Sequence, residues 1–136
     1  MSNGVKVIRA LLVASTGLTA EVPAARVMAG ILPEDITLPA ISVTLVSGMD
    51  RNIPNPGSSR MVEDRVQVTV LAEYYPTQYE IMELVRKACA DQLNEALAGV
   101  SAVAVHTLSR GPDFTDEESS IYMGSQDFSV RYLEAR

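Results

Sequence analysis

The residues best suited to catalysis are few in this chain, and none stands in a pattern that catalysis requires. His106 is the one histidine. A general base needs an acid or a nucleophile within reach, and the spacing supplies neither, so His106 reads as a structural residue of a strand. Cys89, the one cysteine, falls on the apolar stripe of a helical pattern. It reads as a small buried hydrophobe, because a reactive thiol needs exposure and electropositive neighbours. Asp113, Asp116, Glu117 and Glu118 carry the oxygens that hard cations bind. Their spacing is not that of an Asp-x-Asp-x-Asp-Gly calcium loop, and a solvated acidic turn is the better reading. Gly57-Ser58-Ser59 has neither the spacing nor the lysine of a phosphate-binding P-loop, and no Gly-x-Ser-x-Gly elbow occurs. The expectation is a protein that is not an enzyme and has no cofactor and no metal.

What remains is chemistry of contact. Residues 48–59 read Gly-Met-Asp-Arg-Asn-Ile-Pro-Asn-Pro-Gly-Ser-Ser. Two prolines, two asparagines and two glycines oppose both helix and strand. The stretch is longer than the usual hairpin loop of about 2–5 residues. Arg51 and Arg60 bracket Asn52, Ile53 and Asn55. Such a segment is either a flexible tip or an arm that orders against another subunit or protein. Arg65 and Arg131 lie on the polar sides of two strand patterns and join the same set of expected contact residues.

These residues need strands to hold them. Residues 61–74 alternate: Val62, Val66, Val68, Val70 and Ala72 to one side, Glu63, Arg65, Gln67, Thr69 and Glu73 to the other. That is a strand with one buried and one polar face. After Tyr75 the period becomes helical. Thr77 and Glu80 have the spacing of a capping box, and Ile81, Val85, Ala88, Cys89, Leu93, Ala96 and Leu97 recur at helical intervals up to a stop at Gly99. The expected helix therefore runs over 77–98.

Elsewhere the pattern predicts a helix over 5–15 ended by Gly17, a connection at 18–23, a short strand at 25–29, and a proline-broken loop at 31–39. Further strands are expected at 40–47, 100–108 and 121–134, with a polar loop at 109–120. The apolar run at 10–14 after Lys6 and Arg9 is too short for a signal segment and reads as an amphipathic helix. The order α-β-β-β-α-β-β predicts an α+β fold: a mostly antiparallel sheet of about five strands, with two helices packed on one face. The opposite face carries Arg65, Gln67, Thr69, Asp127, Ser129 and Arg131, suited to water or a polar protein contact.

Composition agrees with one globular domain over 1–136. The hydrophobic share is 47% with 21% charge, aromatics are 5%, and tryptophan is absent, so Val, Ile, Leu, Ala and Met must build the core. One cysteine excludes an internal disulfide framework, which makes a reducing compartment the default. No apolar run approaches the roughly 20 residues that span a bilayer. A net charge of −6 argues against a general nucleic-acid binder, which carries a basic patch for phosphates.

Several segments in order resemble the tail terminator, or tail completion, proteins of long-tailed bacteriophages and prophages. They are an N-terminal helix, Val22-Pro23-Ala24-Ala25-Arg26-Val27-Met28-Ala29-Gly30, and Leu38-Pro39-Ala40-Ile41-Ser42-Val43. Glu63-Asp64-Arg65-Val66-Gln67-Val68-Thr69-Val70, Gly111-Pro112-Asp113 and Gln126-Asp127-Phe128-Ser129-Val130 complete the set, which covers most of the chain.

The resemblance implies a small subunit of a ring, typically of six, that caps the head-proximal end of the tail tube. It ends tube polymerisation and joins the tail to the head connector. The implied partners are further copies of the chain, the major tail tube protein and the head connector or stopper protein. DNA passes through the channel without specific binding, and no membrane is involved. The place implied is the virion, at the head–tail interface, after synthesis in the host cytoplasm. The rival readings are another head–tail joining component (a head-completion stopper or a tube subunit), a small-molecule-binding α+β domain, and a plain cytoplasmic oligomer.

Overall fold

A computed structural model describes residues 2–33, 35–51, 57–117 and 120–135. Its first helix, α1 (Asn3–Ala14), starts at Ser2, whose hydroxyl accepts from the Val5 amide at 3.2 Å. Ser15 then has two tasks. Its own N–H closes α1 on the Leu12 carbonyl, and its hydroxyl accepts from the Leu18 amide to start α2 (Thr16–Glu21). The predicted stop at Gly17 is therefore corrected. Ser15 is extended, at φ −79° and ψ 110°, and a capping hydroxyl there restarts a helix where a connection was expected. A single 3₁₀ turn (Ala24–Arg26) leads into β1 (Val27–Ala29).

The long strands are β2 (Ala40–Arg51) and β3 (Ser59–Ala72). The helix α3 (Tyr75–Cys89) follows β3, with Pro76 in its first turn and Tyr74 as an N-cap that makes no side-chain bond. The expected Thr77–Glu80 box does not form, since both residues already lie inside the helix. The proline's fixed φ presets the start instead.

A second correction falls at the other end of α3. The helix stops at Cys89, and Asp91 adopts φ 56°. Residues expected to continue it form β4 (Gln92–Leu97), which turns into β5 (Val100–Arg110). Ala98 at φ 53° and Gly99 at φ 78° make a two-residue reversal, with Leu97 opposite Val100. Two consecutive positive φ values match the twist of a tight hairpin, and the pairing they enforce overrides a helical period that Leu93, Ala96 and Leu97 satisfy equally well. The expected polar loop also contains a short strand, β6 (Phe114–Asp116), before β7 (Ile121–Ala135).

The fold is α+β, as expected, but the sheet is mixed and larger than five antiparallel strands. Seven strands run in the order β1-β2-β3-β7-β5-β4, with β6 on β7. The β1–β2 pair is parallel and the other pairs are antiparallel. Among the described residues three α-helices, not two, accompany it. On β7 the polar side departs from expectation, since Asp127 and Ser129, expected to face water, are each 7% exposed. The core side of β3 and β7 is as expected, with Val66, Val68, Val70, Phe128 and Val130 fully buried. They pack with Ile8 and Leu12 of α1 and Ile81 and Val85 of α3. Each such side chain contributes about 1.5–3 kcal/mol on burial, so this layer dominates stability.

Candidate subunit interface

Strands β2, β3 and β7 run for 12, 14 and 15 residues, against a usual length of about 5–6. Their far halves carry most of the contact residues singled out above. Alternation and register place Met49 and Arg51 of β2, Met61, Glu63 and Arg65 of β3, and Ser129, Arg131 and Leu133 of β7 on the side away from the core. A hollow of about 320 Å³ opens there between Met49, Arg51, Glu63, Arg65, Leu108 and Ser129.

Glu63 joins this face together. It accepts from Arg51 Nη2 at 3.0 Å and from Ser129 Oγ at 3.2 Å, and lies 3.4 Å from Arg131 Nε. The Arg51 hydrogen bond holds its carboxyl below the usual range, partly offset by burial and aided by Ser129 and Arg131. Arg65 is fixed separately. Its Nε and Nη2 approach the same Asp127 oxygen at 2.8 and 2.6 Å, and Nη2 also donates to Ser109. Asp127 is 7% exposed, so this pair is shielded from solvent where the Glu63 pairs are not.

Arg60 departs from the others. Register puts it opposite Glu134 on the core side of β3, between Asp50 at 3.7 Å and Glu134 at 3.6 Å. Those separations exceed hydrogen-bond length. The structure therefore brings Arg51, Arg65 and Arg131 onto one face and sets Arg60 on the opposite one. Asn52, Ile53 and Asn55 lie outside the described residues. The ends of the stretch expected to be irregular belong to strands, because β2 continues to Arg51 and β3 begins at Ser59. Glu63 is not singled out by the sequence pattern, since Arg51 and Arg131 lie on other strands and reach it only through register.

Apolar side chains border the charges. Met49 is 59% exposed, and Met61 and Leu133, directly opposed across β3 and β7, are each 38% exposed. The far half of β2 has β3 on one side only. Strand β1 covers just Ile41, Ser42 and Val43, so no strand among the described residues borders β2 from Thr44 to Arg51. At the opposite end of the sheet, β4 is the other open edge, with Leu93 75% exposed.

The lone histidine, the lone cysteine and the acidic turn stand apart from this surface or from one another. Cys89 is fully buried, and burial pushes its thiol up to about 12. His106 Nδ1 lies 3.4 Å from Asp91 Oδ1, both solvent-exposed. His106 stands opposite Ser129 of β7, whereas Phe114 of the acidic turn stands opposite Met123. In that turn Asp113 accepts from Tyr75 Oη at 2.8 Å, which raises the phenol's pKa; Glu118 lies outside the described residues. Among the described residues no helix is long and apolar enough to cross a membrane.

Comparison with curated proteins found no match. Among solved structures the chain is similar to one from the virion of a native gene transfer agent (GTA) particle. The two share 14% identity over 96% of this chain and 94% of that one, with a TM-score of 0.70. At that identity the likeness concerns the fold. The family model described as tail completion protein gp17 matches residues 6–133, a span that takes in both sheet edges and the Glu63 cluster. The chain belongs to the tail completion protein gp17 family.

Proposed function

We propose that this chain is the repeating subunit of a closed ring, six copies around, seated on the head-proximal end of a phage tail tube. The ring ends tube growth and offers its outer end to the head connector. The observation that carries this reading is the sheet with an unpaired edge at each side. One edge is the far half of β2 and the other is β4. A surface that presents two different sticky edges joins head to tail, and such contacts close into rings when the rotation between copies allows. Family membership supplies the setting, a tail that must be completed. Ring contacts in this reading involve Arg51, Arg65 and Arg131 on one face, with Arg60 on the other side of the arm.

Charge fits a passage for DNA and not a grip on it. A net −6 per copy repels phosphate, and the four arginines are already held by carboxylates of their own chain. Electron microscopy of particles made without this protein tests the assignment. Overlong tubes without heads are expected; tails of normal length joined to heads overturn it.

A further inference from the structure

The unpaired edges differ in sequence, and their difference indicates how copies join. Resting on the ring reading above, we infer that β4 of one copy adds to the free half of β2 on the next. The pairing is parallel, with Leu93 against Met49 and Glu95 against Arg51. The occupant of the β2 edge is thus a second copy of this chain.

Strand direction follows from topology. Successive antiparallel pairs from β2 through β3, β7 and β5 to β4 leave β4 pointing the same way as β2. A ring that carries the sheet onward without inverting it sets these two strands parallel. The β2 edge already accepts a parallel neighbour: β1 pairs Val27, Met28 and Ala29 with Ile41, Ser42 and Val43. An incoming β4 continues the line that β1 begins.

Register follows from one transverse row. Leu93 pairs with Ala104, Ala104 with Arg131, Arg131 with Glu63, and Glu63 with Met49. All five lie on the helix-free face, and the row ends at each edge in an exposed apolar side chain, 75% for Leu93 and 59% for Met49. Extending the row into the next copy brings these two together. Directly opposed residues on neighbouring strands have Cβ atoms about 4.5–5.5 Å apart, so both lose their water. Two residues further along parallel strands, alternation sets Glu95 beside Arg51. Glu95 is exposed and has no ion pair among the described residues. The Arg51 side chain is 55% exposed while it contacts Glu63. Neither β4 nor residues 44–51 contains the lysine or proline that commonly blunts a free edge.

The test uses tails assembled with a Met49→Cys, Leu93→Cys chain, treated with a short bis-maleimide. Cys89 stays silent because it is buried. The double variant is expected to give a ladder of cross-linked chains up to the closed ring, and each single variant only monomer. Normal tails whose double-variant chains stay monomeric, or single variants that dimerise, overturn this strand pairing and leave the ring reading standing. A ring reading that is itself wrong shows instead as normal joined tails in particles lacking the protein. A Glu95→Arg chain gives a second, independent reading. Its isolated melting temperature is expected to stay within error of the parent, while the yield of completed tails falls about tenfold, as about 1.4 kcal/mol at one contact requires. Completion at the parental yield overturns the inference.

Discussion

The Oδ2 atom of Asp64 accepts a hydrogen bond from the Gly4 amide 3.2 Å away, across 60 residues of chain. The same oxygen accepts from Tyr132 Oη at 2.9 Å. Asp64 is 4% exposed and sits on the apolar side of β3, between Val62 and Val66. Its carboxylate thus serves as a remote cap for α1. An anion at a helix N-terminus is favoured by the free N–H groups and the aligned peptide dipoles. Helix and sheet are joined here by polar bonds in the middle of an apolar layer.

Close approach explains Gly4. A Cβ there would lie 2.6 Å from Asp64 Oδ2 and 2.8 Å from its Cβ. Alanine ordinarily improves a helix by up to about 1 kcal/mol over glycine. Here the overlap costs about 1–3 kcal/mol and the amide bond to Asp64 is displaced as well. Gly4→Ala is therefore expected to lower the unfolding free energy by about 2 kcal/mol, read from a urea midpoint. A midpoint at or above the parent's would show that Asp64 yields without cost.

The legible parts of this fold are those where one periodicity had no competitor. Val66, Val68 and Val70 announced the core face of β3, and Phe128 and Val130 that of β7. Asp64 broke the apolar stripe and its meaning was missed. A polar residue in phase with a buried face implies buried partners, but Gly4 and Tyr132 are found only once the strands are paired. The α3–β4 boundary was illegible because Cys89, Leu93, Ala96 and Leu97 satisfy helical spacing, while the signal that wins is the pairing of residues 92–97 with 100–105. On the helix-free face, Arg65 and Arg131 are readable as outward residues of strands, whereas Arg51, expected in a loop, joins them because β2 runs on to it. The placement of Arg60 opposite to them follows from strand register, which single-strand patterns do not specify.

Stability is expected to fall in alkali, and two residues define the window. Burial, then the hydrogen bond to Asp64, raises the Tyr132 phenol well above its ordinary value of 10.0. Burial pushes Cys89 from 9.0 up to about 12. Both groups hold their proton more tightly folded than unfolded. Their stabilising effect is complete below the unfolded values and is lost as pH rises through the folded ones. Each linked group lowers the unfolding free energy by at most about 1.4 kcal/mol per pH unit inside its window. Urea midpoints should be level from pH 7 to about 9 and decline above it, first through Cys89 and then through Tyr132. Tyr132→Phe should lose about 1 kcal/mol at pH 7 through the missing hydrogen bond and flatten the upper part of the decline. An unchanged slope would show that Tyr132 ionises alike in both states.

The β4–β5 reversal contains a correctable strain. Ala98 holds φ 53°, a conformation that costs an L-residue with a Cβ roughly 1–2 kcal/mol. Asparagine tolerates it far better, and Asn-Gly is a favoured pair for this turn. Ala98→Asn should raise the unfolding free energy by about 0.5–1 kcal/mol, seen as a melting temperature higher by a few degrees. Gly99→Val should lower it, since a β-branched residue at φ 78° is strained further.

Two arginines on the same face should separate structural support from contact. Arg65 neutralises Asp127, whose side chain is 10% exposed, with two nitrogens on one oxygen. Removing one partner of a shielded pair leaves a charge without its counter-ion, worth about 3–5 kcal/mol when both are buried. Arg65 itself is 44% exposed, so water reaches the site and about 1–3 kcal/mol is the expected loss for Arg65→Ala. Arg131 is 54% exposed and only shares Glu63 with Arg51. Exposed pairs contribute about 0–1 kcal/mol, so Arg131→Ala should leave the melting temperature within a degree or two of the parent. If the helix-free face meets another protein, the ranking reverses in assembly: Arg131→Ala then lowers the yield of completed tails out of proportion to its stability. Equal effects of Arg131→Ala on melting and on tail completion would remove Arg131 from the interface and leave it an internal support of Glu63.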